Sequence, residues 1–240
     1  MKLGKRVHLG VLFGLSLAAL WQCSDPRVSE SADVFRKKRA EMVETQIAQR
    51  GILDTAVLRA MSTVPRHRFV GEVDADAAYG DHPLHIGYGQ TISQPYIVAL
   101  MTELIRPSGL KRVLEVGTGS GYQAAVLAEL VDSVFSIEIV QPLANEAADR
   151  LQKLGYHSVV VRWGDGYAGW TEKAPFDAIV VTAAAPEIPK PLVEQLKEGG
   201  RMVIPYGEAG GIQQLLLLEK QNGRLNERAV LPVRFVPLVH

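Results

Sequence analysis

Four side chains stand where they could serve a group-transfer reaction: Glu115, Glu138, Asp165 and Ser93. Glu115 lies two residues before Gly117-Thr118-Gly119-Ser120-Gly121, a turn whose glycines allow tight bending and close approach of backbone to a ligand. The spacing is G-x-G-x-G, whereas dinucleotide-binding turns read G-x-G-x-x-G. A carboxylate at Glu115 would repel a diphosphate but tolerates a sulfonium or ammonium group. Glu138, 21 residues after Gly117, is placed to accept hydrogen bonds from both hydroxyls of a ribose. Asp165, in Gly164-Asp165-Gly166, offers an acceptor for an adenine amino group. Singly, each acid reads as a solvated loop residue. Together they favour S-adenosylmethionine over a nicotinamide dinucleotide.

Ser93 has two readings. It precedes Pro95 at the start of an apolar helical run, so it could be a helix N-cap, a role worth about 1 kcal/mol. It could equally be a functional hydroxyl at the end of a long irregular segment, since such segments often carry binding residues. Residue types alone leave both open.

The elements that must position these groups follow from hydrophobic periodicity. Val34 to Gln49 reads as an amphipathic helix, and Asp54 as the N-cap of a second helix through Met61. Val64 to Gln90 shows no sustained period and reads as a long ordered loop, followed by a helix from Ile97 to Ile105. Val113 to Val116 is a buried strand running into the glycine turn and a helix over Gln123 to Leu130. Further strands are expected at 134–139, 159–161, 178–181, 202–204, 214–218 and 230–236, with helices at 143–154 and 192–196, the latter closed by Gly199-Gly200. This alternation predicts an α/β fold: a largely parallel sheet with helices on both faces and an antiparallel end. Glu115, Glu138 and Asp165 all fall near strand C-termini, where open parallel sheets bind ligands.

The 240 residues carry 26 basic and 26 acidic side chains, a balance that gives no electrostatic footprint for DNA or RNA. Cys23 is the single cysteine, so no intramolecular disulfide or cysteine metal cluster can form, and no metal is expected. Lys2, Lys5 and Arg6 precede an uncharged run from Leu9 to Trp21, the order of a secretory signal. We therefore expect a leader over residues 1–23, a polar linker over 24–33 and one catalytic domain over 34–240. Cys23 after the apolar run suggests a lipoprotein signal, although Gln22 occupies a position that such signals give to a small residue. The expected location is the bacterial periplasm or a lipid attachment to the membrane, with the cytoplasm as the alternative. The absence of a large apolar surface stretch points to a monomer.

Several segments together resemble the protein-L-isoaspartate O-methyltransferase family. They are Gly89-Gln90-Thr91-Ile92-Ser93-Gln94-Pro95-Tyr96, Leu114-Glu115-Val116-Gly117-Thr118-Gly119-Ser120-Gly121-Tyr122, Gly164-Asp165-Gly166-Tyr167, the stretch Pro175 to Pro186, and Gly199 to Pro205. The likeness runs from about Arg36 to Leu238. Thr91-Ile92-Ser93 is particular to this family, whereas the glycine turn is shared by many methyltransferases.

The resemblance implies a Rossmann-like, seven-stranded methyltransferase fold with extra N-terminal helices. It also implies methyl transfer from S-adenosylmethionine to the α-carboxylate of L-isoaspartyl residues in damaged proteins. Carried over by motif, Glu115, Gly117 and Gly119 would line the amino-acid end of the cofactor, with Thr118 and Gly121 in the same turn. Glu138 would hold its ribose, Asp165 and Gly166 its adenine, and Gln213 a further position near it. Ser93 matches the active-site serine, and Thr91, Ile92 and Val236 would bind the substrate peptide. His85, in Pro83-Leu84-His85-Ile86-Gly87, departs from the family, which often has a second proline there. Two other readings keep the glycine turn: a small-molecule methyltransferase, which would not need Thr91-Ile92-Ser93, and a non-catalytic binder of isoaspartyl proteins.

Overall fold

The computed structural model describes residues 1, 26–71 and 74–240. Apart from Met1, the expected leader, with Cys23, lies outside the described residues. Among those described, no helix is long and apolar enough to cross a membrane.

Seven strands form one sheet in the order β5-β4-β3-β6-β7-β8-β9. These are β3 (Arg112–Val116), β4 (Ser133–Glu138), β5 (Val159–Trp163), β6 (Phe176–Val181), β7 (Leu196–Tyr206), β8 (Gln213–Gln221) and β9 (Arg224–Val233). The five strands from β5 to β7 pair in parallel, and β7-β8-β9 is antiparallel. This is the expected seven-stranded arrangement. The central strand β3 has buried neighbours on both faces: Val113 belongs to one hydrophobic cluster and Leu114 and Val116 to the other, as the two-sided burial of a parallel sheet requires.

Helix α1 begins at Pro26, not Val34, and takes in most of the stretch expected as a linker before running to Glu41. A π-helical turn, Met42–Ile47, continues it and buries Met42, Val43 and Ile47. Asp54 is the N-cap of α2 (Thr55–Thr63), its side chain accepting from the Ala56 and Val57 amides at 2.8 and 3.2 Å. The Glu103 carboxylate, on α3 (Pro95–Leu104), accepts from the Leu53 and Asp54 amides and ties these N-terminal helices to the domain.

The segment expected as a loop is built in pieces. It contains short 3-10 turns at Arg66–Phe69 and Ala77–Tyr79, and a hairpin of β1 (Leu84–Gly87) and β2 (Gln90–Ile92). Tyr88 and Gly89 at its tip both have positive φ, 52° and 70°, the combination a two-residue hairpin turn needs. Tyrosine in that place disguised the turn. The last hairpin differs too. Strand β9 starts at Arg224, after an Asn222-Gly223 turn with φ of 53° and 72°, and ends at Val233, so residues 234–237 leave the sheet edge. Gly199-Gly200 lies inside β7 and does not close a helix; α6 spans Lys190–Gln195. A Cβ on Gly200 would crowd the Lys197 and Asp177 carbonyls, at 2.8 and 2.9 Å, so glycine serves a close backbone approach there.

Candidate functional site

Three connected spaces open at the C-terminal ends of the parallel strands. The largest is a groove of about 690 Å³ between the N-terminus of α3 and the segment after β9, with Ser93, Gln94, Ile97, Ile212, Arg234 and Phe235 in its walls. A slot beside it is lined by Gly117, Gly119, Glu138, Gly166 and the segment Val236 to Val239. A crevice joining the two floors contains Thr91, Ser93, Thr118 and Thr182. Groove and slot share four residues, Thr91, Thr182, Val236 and Pro237, so a donor in one and an acceptor in the other would meet across a single wall.

Ser93 is not the N-cap of α3. Pro95 occupies the first turn and the N-cap is Gln94, which has non-helical backbone (φ −49°, ψ 136°) and makes no side-chain capping bond. A proline at the first helical position pushes its predecessor out of helical geometry, which fixes the cap one residue after Ser93. Ser93 lines both groove and crevice, and its hydroxyl has no hydrogen-bond partner among the described residues. Its neighbour is braced: Gln94 Nε2 donates to Asp81 Oδ1 at 2.8 Å, and Asp81 pairs with Arg50, whose guanidinium lies 3.7 Å from the centre of the Tyr96 ring.

In the slot, Glu138 is 4% exposed; its Oε2 accepts from the Gly119 amide at 2.8 Å and its Oε1 from the Val140 amide at 2.9 Å. Each oxygen keeps a further lone pair for a ligand hydroxyl. The glycines form a cradle that side chains would fill. A Cβ on Gly166 would overlap Val116, and one on Gly119 would come within 3.3 Å of Ile86. The slot thus accepts a group that needs close backbone contact and a diol acceptor, which fits the ribose and amino-acid parts of S-adenosylmethionine.

Other residues expected at the cofactor stand elsewhere. Gly121 lines none of the three spaces; it is the left-handed N-cap of α4 (Tyr122–Ala128), and a Cβ there would meet Leu151 of α5 (Gln141–Lys153) at 3.2 Å. Gln213 is fully buried, and its side chain accepts from the Phe235 amide at 2.9 Å and donates to the Glu208 carbonyl at 3.0 Å. It holds the segment that walls the groove. Asp165 uses one oxygen to cap the Tyr167 amide and the other to meet His240 Nδ1 at 3.0 Å, while Gly166 beside it lines the slot. Glu115 is buried beneath the turn, bonded to Ser136 of β4. Its side chain sits on the Val113 face of β3, away from the slot. Of the peptide-site residues, Thr91 and Val236 line both groove and slot, and Ile92 lines the crevice.

Thr182 escaped the sequence reading. It follows β6, and its Oγ1 donates to the Gly117 carbonyl at 2.6 Å and the Val116 carbonyl at 3.0 Å, pinning the glycine turn to the next strand. Its place directly after a central parallel strand was the available signal. No cluster of three or more His, Cys, Asp or Glu that could hold a metal occurs among the described residues.

The sequence pattern of the Protein-L-isoaspartate(D-aspartate) O-methyltransferase (PCMT) family matches residues 37–240. The chain belongs to this family. Among its relatives, the protein-L-isoaspartate O-methyltransferase of Opitutus terrae is 60% identical over 200 residues, covering 83% of this chain and 86% of that one. The protein-L-isoaspartate O-methyltransferase 2 of Syntrophobacter fumaroxidans is 53% identical over 233 residues, 95% of this chain and 94% of its own. A solved protein-L-isoaspartate O-methyltransferase superposes with a TM-score of 0.77 at 30% identity, over 85% of this chain and 66% of that chain. A second structure, from Plasmodium falciparum and in complex with S-adenosyl-L-homocysteine, gives 0.71 at 29% identity, over 84% of this chain and 98% of its own.

For a member of this family, Glu138 makes a specific prediction. Glu138→Ala removes the anchor of the Gly119 amide together with the carboxylate oxygens that face the slot's ligand space, and is expected to weaken S-adenosylhomocysteine binding by about 10- to 100-fold, the range for losing a charge-assisted contact and its support. Isothermal titration calorimetry measures this directly.

Proposed function

We propose that the chain transfers a methyl group from S-adenosylmethionine to the α-carboxylate of L-isoaspartyl residues in proteins, a repair reaction. The observation that carries this reading is the wall of Thr91, Thr182, Val236 and Pro237 shared by the slot and a groove of about 690 Å³. S-adenosylmethionine supplies a sulfonium methyl group, and an ionised carboxylate is nucleophile enough without a general base. The chain's task is therefore to position the acceptor and exclude water, an effect able to contribute several kcal/mol.

The unpartnered hydroxyl of Ser93 suits a donor that orients the acceptor carboxylate. Among the described residues, Arg234 is the one charged residue in the groove wall, and its sign favours an anionic acceptor. Ile97, Ile212, Val233 and Phe235 give the same groove apolar walls that strengthen such contacts by lowering the local dielectric. Thr91, Ile92 and Val236 would hold the peptide in extended form beside Ser93. Gly117, Thr118, Gly119, Glu138 and Gly166 would hold the methyl donor.

Incubation with radiolabelled S-adenosylmethionine and an isoaspartyl peptide, beside its aspartyl twin, tests the reading. Base-labile label is expected in the isoaspartyl peptide alone; equal label in both, or none in either, overturns it.

The charged-then-apolar order of residues 2–21 supports export, to the periplasm or to a lipid anchor at Cys23. Cell fractionation with the mass of the mature N-terminus tests that placement, and an intact N-terminus in the cytoplasmic fraction overturns it.

A further inference from the structure

One buried acid is left without a part in the proposed reaction. Glu115 on β3 is 0% exposed. Ser136 Oγ donates to its Oε2, while Oε1 has no hydrogen-bond partner. Ser136 also meets Thr118 Oγ1 at 2.5 Å, and Thr118 is the middle residue of the Gly117 to Gly119 turn. A short chain of hydroxyls thus links the carboxyl to the loop above it.

Among the described residues, the surroundings supply no counter-charge. The register partners of Glu115 are Ser136 on β4 and Val180 on β6, and α4 contributes the Ala124 amide. The ionisable group whose field reaches it is Glu138, also on β4 and of the same sign. An ionised carboxylate at this place would be stripped of water and left without a cation, an arrangement proteins avoid by keeping the proton.

We propose that Glu115 is a neutral carboxylic acid in the folded protein and acts as a positioning residue, holding the glycine turn through Ser136 and Thr118. It is not a charge paired with the ammonium group of the cofactor. Burial is the main cause, pushing its carboxyl up to about 8; the Ser136 hydroxyl opposes, Glu138 adds to the rise, and the Ala124 amide opposes again. A carboxyl that holds its proton at neutral pH can be replaced by an amide of the same shape without loss of charge. This assignment rests on the methyl-transfer reading only for the identity of the group the turn holds.

The test uses the full chain and needs no turnover. Infrared difference spectra between wild type and Glu115→Gln are expected to contain the carbonyl band of a protonated carboxyl at neutral pH, fading toward pH 9. In calorimetry with S-adenosylhomocysteine, Glu115→Ala is expected to bind about 10-fold or more weakly and Glu115→Gln to restore affinity to within about threefold, as for residues that support a binding group from behind. Absence of the protonated band at neutral pH overturns the proposal, and so does a Glu115→Gln variant as weak as Glu115→Ala, which would mean that the cofactor needs the charge. If wild type itself fails to bind S-adenosylhomocysteine, the methyl-transfer reading falls, while the infrared band still decides the protonation state.

Discussion

Replacing Ser93 by Ala is expected to lower kcat for an isoaspartyl peptide by about 100-fold, the size of effect that follows when an acceptor is no longer held in line with the methyl group, while S-adenosylhomocysteine affinity stays within about threefold. The split follows from where the residue stands. It lines the groove and the crevice, and its hydroxyl has no partner among the described residues and does not cap α3. Removing it therefore subtracts nothing from the helix and little from the slot. Steady-state kinetics with the peptide, beside calorimetry with S-adenosylhomocysteine and a thermal melt, separate the two parts. Equal loss of turnover, cofactor binding and Tm would mean that the hydroxyl supports structure.

Gly117→Ala is expected to act at the other side of the shared wall and to damage cofactor binding first. Gly117 has φ of 97°, where an L side chain costs roughly 1–2 kcal/mol. The added Cβ would also overlap Thr182 Oγ1, which cannot retreat without giving up its bonds to the Gly117 and Val116 carbonyls. We expect S-adenosylhomocysteine affinity to fall by at least about 10-fold, the equivalent of about 1.4 kcal/mol, with a lower Tm. Adding Thr182→Ala relieves the overlap but not the backbone strain, so recovery should be partial. Gly155→Ala is the control. Its φ is 87° with nothing within 4 Å of the new Cβ, so Tm should fall while affinity holds. Similar affinity losses in Gly117→Ala and Gly155→Ala would show that the contact with Thr182 does not matter.

Much of the fold was legible because it is written in long apolar runs. The alternation of strand and helix from Arg112 onward announced the parallel sheet, and Gly117 to Gly121 marked its ligand edge. The hairpins were not legible to the same degree. Strands β1 and β2 have four and three residues, too few for a period to rise above chance, and their turn uses Tyr88 where asparagine or aspartate is usual. The Asn222-Gly223 turn did carry its signal, but the apolar run from Val230 onward drew the strand too far along the chain.

The site divides in the same way. Glu138, Gly117, Gly119 and Ser93 could be placed from motif and strand ends because each reaches its cavity directly from a strand end or turn. Glu115, Gln213 and Gly121 act at one remove, on Ser136, on the Phe235 amide and on Leu151. A linear motif records that a position is constrained, and only packing tells which neighbour constrains it. Thr182 was missed for the converse reason: its motif was seen, but its hydroxyl works on backbone carbonyls 65 and 66 residues away.

The slot is finished by residues far along the chain from the turn that starts it. Val236, Pro237, Leu238 and Val239 close over Gly117 and Gly119, and the Ala184 amide and carbonyl fasten this segment through the Val236 carbonyl and the Leu238 amide at 2.8 and 2.7 Å. A ribosome still making β8 has already synthesised the five parallel strands and the glycine turn, yet the chain at that moment lacks the segment that encloses the slot. Cofactor can be fully enclosed only once the C-terminal segment is in place. Its stabilising influence arrives only after the antiparallel hairpin has turned the segment back, so truncation anywhere beyond β9 should cost cofactor protection before it costs the fold.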